Sequence, residues 1–305
     1  MRICLLTADP EHPLLAAAAE LLAPRHRVES LDPRDDRWAR PAEALDAARG
    51  DLADVYLLKA RTPRALALAA VLEERGAVVI NSAAATARCQ DRVEMAELAR
   101  GAGLPFAGTR YVPTLAQLAA DGEPSSPLVI KSRHSRRHDL VARVDSAARL
   151  HALAADWADE PVVVQEFTAN SGWDLKLWVV AGRLFAARRR SELAPEGRGP
   201  TLPLPVADLP AAWTGPALRA GEVFDLEVYG VDILETAGGV PLIVDINAFP
   251  GIRGQAGAPN ALAELALRAG GRAAGRAPRR EPDPAPLPLA RIPAPITNTT
   301  PTGAS

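Results

Sequence analysis

The chain has 305 residues, of which 48% are hydrophobic, 35 are basic and 37 are acidic. This length and composition suit one large or two to three modest globular domains with a buried core. Because the charges nearly balance, the chain has no global field to attract nucleic acid or an anionic membrane, so any basic site has to be a local pocket.

The two cysteines and the N-terminal residues bear on the cellular compartment. Cys4 lies in an apolar run and Cys89 is far from it in the sequence, so they form neither a disulfide framework nor a metal-spaced cluster. The first residues lack the long apolar core and cleavage site of a secretory leader. No stretch approaches the roughly 20 apolar residues that a bilayer crossing needs. We therefore expect a cytoplasmic protein.

Residues 1–85 predict a small parallel α/β domain. Apolar strand patterns at 3–7, 54–58 and 77–81 alternate with helical patterns at 13–23 and 63–75. Strands that alternate with helices in this way are typical of a parallel sheet covered by helices. We therefore expect a Rossmann-like domain that ends near residue 85.

The chain beyond residue 85 predicts an α+β region with mostly antiparallel strands. Helical patterns at 90–101, 146–156 and 210–224 are interspersed with strand patterns at 127–131 and 161–167. The segments DLKLWVVAG and RLFAARRRS predict a hairpin that turns at Ala181 and Gly182. Residues 273–305 are rich in Arg, Ala and Pro and offer too little apolar surface for a core, so we expect a disordered tail.

The segment YGVDILETAGGVPLIVDIN predicts a β-hairpin with acidic residues on one face. We call residues 229–247 the carboxylate hairpin. A two-residue turn at Gly238 and Gly239 would place Asp232 directly across from Asp245. Side chains alternate between the faces of a strand, so Asp232, Asp245 and Asn247 would share one face. The apolar face would then hold Val231, Ile233, Val244 and Ile246.

The opposed carboxylates of the hairpin predict a metal site. Two carboxylates about 5 Å apart repel by roughly 3 kcal/mol at an effective dielectric constant near 20. A divalent cation would remove that repulsion, and a few hard oxygen ligands suit Mg²⁺ better than Zn²⁺, which prefers His or Cys. The alternative is a solvated strand face that carries two acids by chance. The NAFPG that follows favours the metal site, because it would place backbone groups beside the ion.

Basic residues around the strand PLVIK suggest contacts to phosphate. Lys131 ends this apolar strand, where its ammonium group would emerge at the edge of a core and could contact ATP phosphates. An ordinary strand-end lysine is the alternative. The basic loop, residues 132–138 (SRHSRRH), adds three arginines and two histidines that could clamp an anionic group. It could equally be a solvated basic turn.

Three further segments carry polar residues at strand ends. In VVVQEF, the strand ends at Gln165, Glu166 and Phe167. Their backbone groups could form hydrogen bonds with the edge of an adenine base, and the Phe167 ring could stack on a face of that base. Asp174 and Lys176 alternate on one strand and so share a face, which suggests a lined cleft. The next strand ends in three arginines, of which at least one should face the same cleft; they are Arg188, Arg189 and Arg190, beside Ser191.

In this order, the strand lysine, the QEF segment, the D-x-K strand, the arginine strand and the D…D-x-N hairpin ending in NAFPG resemble the ATP-grasp superfamily. The resemblance covers roughly residues 1–270, because the N-terminal α/β domain followed by NSAAATARCQDR also looks like the start of that fold. The ordered set is specific, whereas each part alone is weak. The resemblance implies a Rossmann-like domain followed by a two-subdomain ATP-grasp fold.

Two branches of the superfamily compete. The segment VINSAAATARCQDRVEMAELARGAGLPF resembles RimK-type glutamate ligases and related, glutathione-synthetase-like carboxylate–amine ligases. KSRH, VVVQEF, DLKLWVVAG, RRRSEL and VDINAFPG resemble the inositol 1,3,4-trisphosphate 5/6-kinases. Arg92, Asp245 and the basic loop depart from the lysine, glutamate and glycine-rich loop common in RimK-type ligases, and the first two resemble the kinases instead.

The resemblance implies particular roles for matching residues. It implies nucleotide contacts by Lys131, Glu166, Phe167, Asp174 and Arg92, two Mg²⁺ ions on Asp232, Asp245 and Asn247, with Mn²⁺ as an alternative metal, and catalytic contacts to phosphate or acceptor by Lys176, Arg190 and Ser191. It further implies a small lid subdomain at residues 86–165 and a metal-binding subdomain at 166–272.

The reaction class follows from the branch. A ligase would phosphorylate a carboxylate and let an amine attack the acyl phosphate, which is our first expectation. A kinase would phosphorylate a hydroxyl of an inositol phosphate or similar polyol, and a non-catalytic nucleotide-binding module is the third reading. We expect a small-molecule or peptide acceptor, no nucleic acid and no membrane, and the pattern leaves a homo-oligomer open.

Overall fold

The computed structural model describes residues 1–48, 52–191, 193–194, 199–236 and 238–274. These residues contain three β-sheets. The first is a parallel sheet of four strands in the order β2-β1-β3-β4. Its elements are β1 (Arg2–Leu6), α1 (Pro13–Leu22), β2 (Arg27–Leu31), α2 (Pro41–Ala48), β3 (Val55–Leu58), α3 (Pro63–Glu74), β4 (Val79–Ile80) and α4 (Ala83–Arg88).

The second sheet is antiparallel, with the strand order β5-β8-β6-β7. The elements of this region are α5 (Arg92–Gly101), β5 (Thr109–Val112), α6 (Leu115–Ala120), β6 (Leu128–Ser132), β7 (Val141–Val144), α7 (Ala147–Trp157) and β8 (Val162–Glu166). Side chains of α6 and α7 pack on one face of the sheet and bury Leu115, Leu118, Leu150 and Leu153.

The third sheet is antiparallel and has five strands in the order β11-β10-β9-β12-β13. Its elements are β9 (Asn170–Val180), β10 (Arg183–Arg190), β11 (Thr201–Leu204), α8 (Ala211–Phe224), β12 (Val228–Thr236), β13 (Pro241–Ala248) and α9 (Ala258–Ala274). The predicted mixture of a parallel α/β domain and antiparallel α+β sheets is confirmed. The predicted turn between β9 and β10 is also confirmed, since Ala181 and Gly182 both have positive φ.

Helix α5 packs on the five-stranded sheet. Its buried Met95, Ala96 and Ala99 belong to the same apolar cluster as Ile243 and Ile246 of β13. Burial of this helical face fixes the start of α5, where Asp91 caps the helix by accepting hydrogen bonds from the backbone of Val93 and Glu94. The N-terminus of α5 therefore has a fixed position beside the hairpin that carries the acidic residues.

The N-terminal domain and the five-stranded sheet share one core. Leu14 and Leu15 of α1 pack in the same cluster as Leu262 and Leu265 of α9 and Val180 of β9. A buried amide reinforces this junction. The side chain of Asn81 donates to the carbonyl of Val228 at 2.7 Å and accepts from the backbone N–H groups of Glu227 and Val228 at 2.8 and 3.0 Å.

The predicted start of the disordered tail needs a small correction. Residues 273 and 274 belong to α9, so the helix runs two residues into the segment predicted to be disordered. The remainder of that segment, 275–305, lies outside the described residues. Among the described helices, none is long and apolar enough to cross a membrane.

Candidate active site

A cavity of about 600 Å³ lies between the four-stranded antiparallel sheet and the five-stranded sheet. Ten of the eleven predicted site residues line it, namely Arg92, Lys131, Glu166, Phe167, Asp174, Lys176, Ser191, Asp232, Asp245 and Asn247. These residues come from α5, both antiparallel sheets and the loops after β8 and β10. The fold therefore brings together side chains that are far apart in the sequence.

The carboxylate hairpin has the predicted register at the acidic residues, although the residue pairs between them and the turn differ from the prediction. Asp232 pairs with Asp245, as expected, but nearer the turn Ile233 pairs with Ile243. The register shifts by one residue between Asp232 and Ile233, which is a β-bulge that makes Val244 the extra residue. On the turn side of the bulge the pairing is offset by one residue from the prediction, and the bulge restores the predicted pairing at Asp232 and Asp245.

The bulge corrects the predicted position of Val244. This residue lines the cavity together with Asp245 and does not lie on the apolar face. The extra residue of a bulge is left out of the strand ladder. Lys131 of β6 binds here, because its Nζ donates to the carbonyl oxygen of Val244 at 2.8 Å. The bulge thus connects the two antiparallel sheets across the cavity.

Lys176 lies between two carboxylates on the floor of the cavity. Its Nζ is 2.6 Å from Oδ2 of Asp232 and 3.7 Å from Oδ2 of Asp174. The alternation of β9 and its pairing with β12 place these three side chains on one face. Burial raises the pKa of Asp174 and outweighs the opposing effect of Lys176, while Asp232 raises it further. The three charged side chains on the cavity floor therefore lie close enough to interact electrostatically.

Arg92 joins the four-stranded antiparallel sheet to the carboxylate hairpin. Its Nη1 donates to Oδ2 of Asp139 and to the carbonyl of Ser132, both at 2.7 Å, and its Nη2 is 3.9 Å from Oδ2 of Asp245. Lys131 is only 7% exposed. Burial lowers the pKa of Lys131 to about 8, although Asp245 opposes this effect.

The donor atoms at the hairpin fit an oxygen-coordinated metal ion. Oδ1 of Asp245 is buried without a hydrogen-bond partner among the described residues, a costly state for a carboxylate oxygen. Oδ2 of the same carboxylate is 3.4 Å from the amide nitrogen of Asn247. Among the residues that the structure describes, no three His, Cys, Asp or Glu side chains lie close enough together to hold a metal ion by themselves. Two carboxylates and one amide are few ligands, which suits Mg²⁺ because it keeps water and phosphate in its shell.

The basic loop is fixed by ion pairs. Arg133 binds Asp91 through two hydrogen bonds of 2.9 and 2.6 Å, and its guanidinium lies 4.9 Å from the ring centroid of Tyr111. Arg136 binds Glu160 through two hydrogen bonds of 2.7 and 2.8 Å. Arg136 also lines the cavity, together with Ser135 and His138. Two of the three arginines are therefore engaged with carboxylates, so neither the clamp nor the solvated turn describes the loop fully.

Arg190 does not line the main cavity, whereas its neighbour Arg189 does, and the implied contact of Arg190 with phosphate or acceptor stays a prediction. Side chains alternate along β10, where Arg189 pairs with Asp174 and Arg190 pairs with Trp173. The guanidinium of Arg190 lies 5.3 Å from the Trp173 ring centroid and lines a second, smaller pocket. The expectation that at least one of the three arginines faces the cleft is confirmed.

The QEF segment forms one wall of the cavity where β8 ends. Gln165 is buried and donates from Nε2 to Oγ1 of Thr109 at 3.0 Å. Glu166 and Phe167 line the cavity, and the guanidinium of Arg143 lies 3.9 Å from the Phe167 ring centroid. Their roles at an adenine ring stay predictions.

Two lining residues carried no signal that the sequence analysis used. Trp178 completes the cavity near β12, beside Pro250 and Gly251 of the NAFPG segment, and Arg61 reaches the cavity from the N-terminal domain. A Cβ atom added to Gly230 would lie 3.0 Å from both Pro250 Cγ and Trp178 Cδ1. A side chain at this position would displace the NAFPG turn, so the glycine of YGVD was an available but unused signal.

Comparison with known proteins places this geometry in context. No protein-family model matches the chain. It is 29% identical over 194 residues to a probable alpha-L-glutamate ligase of Thioalkalivibrio sulfidiphilus, and 30% identical over 192 residues to one of Pseudomonas fluorescens. Each match covers 60% of this chain and 63% of the relative. The matched part therefore spans less than two thirds of the length of these relatives.

Solved structures resemble the whole described fold. A RimK domain ATP-grasp protein from Sphaerobacter thermophilus matches with a TM-score of 0.66 and 23% identity, over 87% of this chain and 99% of that protein. The D-alanine–D-alanine ligase of Bacillus anthracis matches with a TM-score of 0.66 and 16% identity, over 89% and 99%. The ATP-grasp ligase PsnB, complexed with a minimal precursor, Mg and ADP, matches with a TM-score of 0.61 and 18% identity, over 88% and 97%. The chain has the ATP-grasp fold, as its motifs predicted, and its sequence is similar to probable alpha-L-glutamate ligases.

Proposed function

We propose that this protein is an ATP-dependent ligase that joins a carboxylate to an amine through an acyl phosphate. The observation that carries the proposal is the cavity in which Lys131, Lys176 and the acidic face of the carboxylate hairpin meet. Phosphoryl transfer depends on positioning and on neutralising charge, for which cations and hard oxygen ligands in one cleft are suited. The similarity to probable alpha-L-glutamate ligases supports the ligase class.

The proposal assigns nucleotide binding to the lid side of the cavity. Lys131 would contact the phosphates, and Glu166 and Phe167 would contact the adenine. Arg92 would hold the lid sheet in place through Asp139 and Ser132, to which it is hydrogen-bonded. The bond between Lys131 and the Val244 carbonyl keeps the ammonium beside the hairpin before nucleotide arrives.

The hairpin would hold the metal. Asp232, Asp245 and Asn247 would bind Mg²⁺, which when bound would neutralise charge on the transferred phosphoryl group. We take two ions to bind, with Mn²⁺ able to substitute. The structure of PsnB with Mg and ADP is consistent with metal use in this fold.

The remaining residues would orient the acceptor carboxylate. Lys176 is held between Asp174 and Asp232, so its charge is directed along the cavity floor. Arg189 replaces Arg190 in the proposed set, because it lines the cavity beside Ser191. The γ-phosphoryl group would move to a carboxylate oxygen, and an amine would then displace phosphate from the acyl phosphate. The acceptor is proposed to be a small molecule or a peptide.

The experiment incubates the protein with Mg-ATP and pools of amino acids or inositol phosphates, and follows ADP. ADP release that needs both a carboxylate and an amine, with inorganic phosphate as coproduct, supports the ligase. Phosphate retained on a polyol would replace the ligase by a kinase. Tight ATP binding without ADP release under any pool would instead favour a non-catalytic nucleotide-binding module. Asp245→Asn is the matched inactive control, because it keeps the side-chain shape and removes one charge.

A further inference from the structure

The end of the cavity nearest the N-terminal sheet is formed by residues that the nucleotide proposal does not use. Arg61 and Gly251 line this end. Arg61 follows β3 closely, where Lys59 and Ala60 donate their backbone N–H groups to the carbonyl of Leu6 at 3.1 Å. This end of the cavity therefore lies at the carboxyl edge of the parallel sheet. Ligands of open α/β sheets bind outside this edge.

The N-terminal domain and the NAFPG turn are in close contact here. His12, the cap of α1, is buried, and a Cβ atom added to Gly251 would lie 3.3 Å from its Nε2. The turn that follows the acidic residues therefore packs against the edge of the parallel sheet. A substrate in the cavity can extend from the proposed metal site along this turn to Arg61.

Positive charge is concentrated beside this end, where Arg61 lines the cavity and Lys59 and Arg253, which do not line it themselves, lie close enough to Arg61 for their charges to interact. Lys59 is half-buried, and burial lowers its pKa to about 8. Arg61 lowers the pKa further, Asp9 opposes the shift and Arg253 adds to it, so the two guanidinium groups act on this ammonium group. No salt bridge within the described part of the chain involves Lys59, Arg61 or Arg253. Like charges held together near a cavity are stabilised when an anion binds between them.

We propose that Lys59, Arg61 and Arg253 form an anion subsite that holds a carboxylate of the amine-bearing substrate. The inference rests on the proposed ligase function, since it assigns that substrate to the far end of the same cavity. An amino acid carries its amine next to a carboxylate, so an anchored carboxylate would direct the amine toward the hairpin. Guanidinium groups bind carboxylates through paired hydrogen bonds, which gives orientation as well as affinity.

The test measures binding of three probes by isothermal titration calorimetry in the presence of Mg²⁺ and a non-hydrolysable ATP analogue. The probes are L-glutamate, its side-chain amide L-glutamine and its α-amide L-isoglutamine, which share one amine and remove one carboxylate at a time. The variants are Arg61→Ala and Lys59→Met. The matched control is Arg40→Ala, an arginine of the same domain that is 78% exposed and forms an ion pair with the exposed Glu43.

We expect wild-type protein to bind L-glutamate and to bind one of the two amides at least about tenfold more weakly, which identifies the carboxylate that is held. Arg61→Ala and Lys59→Met should each weaken L-glutamate binding about tenfold, while the affinity for the ATP analogue changes by less than about twofold. Arg40→Ala should match wild type in both. Melting temperatures check that each variant is folded.

Three outcomes would overturn the subsite. Equal affinity for L-glutamate and both amides, or no binding of L-glutamate to wild type, would show that no carboxylate is recognised. Unchanged L-glutamate affinity in both variants would remove these residues from the site. Failure of the ligase proposal is seen separately, because ADP release that needs no amine contradicts the ligase without affecting these binding measurements.

Discussion

The carboxylate hairpin and the basic loop are both dense in charge, yet the fold holds their charges in different ways. In the hairpin, Asp245 lines the cavity and one of its buried oxygens has no hydrogen-bond partner among the described residues. In the loop, Arg133 and Arg136 each make two hydrogen bonds to a carboxylate from another segment, Asp91 and Glu160.

This difference separates charges that serve a ligand from charges that stabilise the protein. A buried carboxylate oxygen without a partner costs stability, so it indicates a site whose partner is a ligand. Arginines already paired with carboxylates have less capacity to bind an external anion. Substitutions in the hairpin should therefore impair activity with little loss of stability, and substitutions of the paired loop arginines should do the reverse.

The largest effect is expected for Asp245→Asn. ADP release should fall by at least about 100-fold, because even residues that only orient a metal ligand typically contribute 10–100-fold to affinity or activity. The melting temperature should stay close to that of wild type, since Asn keeps the side-chain shape and the ion pair between Asp245 and Arg92 is long, at 3.9 Å. Steady-state ADP assays and thermal melts measure both quantities. A variant that retains turnover would contradict the claim that the charges of the carboxylate hairpin serve a ligand.

A smaller effect is expected for Lys131→Met, which keeps the apolar stem and removes the ammonium group. The affinity for ATP should fall about tenfold, equivalent to ~1.4 kcal/mol, because the phosphates lose a point charge in a buried setting. Loss of the Lys131 hydrogen bond to the Val244 carbonyl should lower stability by about 1 kcal/mol, so a thermal melt checks that the variant stays folded. Calorimetric titration with ATP measures the change, and unaltered affinity would exclude Lys131 from the site.

The two neighbouring arginines of β10 sharpen the comparison within a single strand. Arg189→Ala should raise the KM for ATP or the acceptor about tenfold, because Arg189 lines the cavity. Arg190→Ala should change it by less than about threefold, because that side chain lies over Trp173 outside the main cavity. Equal effects of the two substitutions would show that the alternation of β10 does not separate their roles.

The smallest effect is expected for Arg133→Ala in the loop. Stability should fall by about 1 kcal/mol or less, because the ion pair with Asp91 is partly exposed. Chemical denaturation measures this loss, and ADP release should change by less than about twofold. A large loss of turnover with unchanged stability would reverse the assignment of the loop.

The pH dependence of that stability provides a control. Burial alone would raise the pKa of Asp91, but hydrogen bonds from Arg133 and the backbone of Val93 outweigh it and lower the pKa. An acid with a lowered pKa stabilises the fold above its unfolded value of about 4 and loses that contribution as pH falls. The stability difference between wild type and Arg133→Ala should therefore shrink in acid.

Elements whose structure is set by residues close together in the sequence were predictable. Alternation of strands and helices predicted the parallel domain, and the Ala181–Gly182 turn was fixed by its residues and confirmed. The pairing of Asp232 with Asp245 was also predicted correctly, but the bulge beside Asp232 was not. The carbonyl of the bulged Val244 accepts a hydrogen bond from Lys131, a contact from outside the hairpin that a hairpin pattern does not contain.

The errors share a non-local cause. The partners of the basic loop, Asp91 and Glu160, lie on either side of it in the sequence, so its residues alone did not show that its charges are paired. The resemblance implies a role for Arg190, whereas Arg189 lines the cavity, because the face of β10 depends on its pairing with β9, which the sequence did not specify residue by residue. Arg61 comes from another domain and joins the cavity only after folding.

The central claim is that the carboxylate hairpin binds magnesium for a nucleotide. The most direct measurement is the affinity for a non-hydrolysable ATP analogue with and without Mg²⁺, for wild type and the double variant Asp232→Asn, Asp245→Asn. Magnesium should tighten binding at least about tenfold in wild type and should have no effect in the folded double variant. The same magnesium dependence in both proteins would contradict the account.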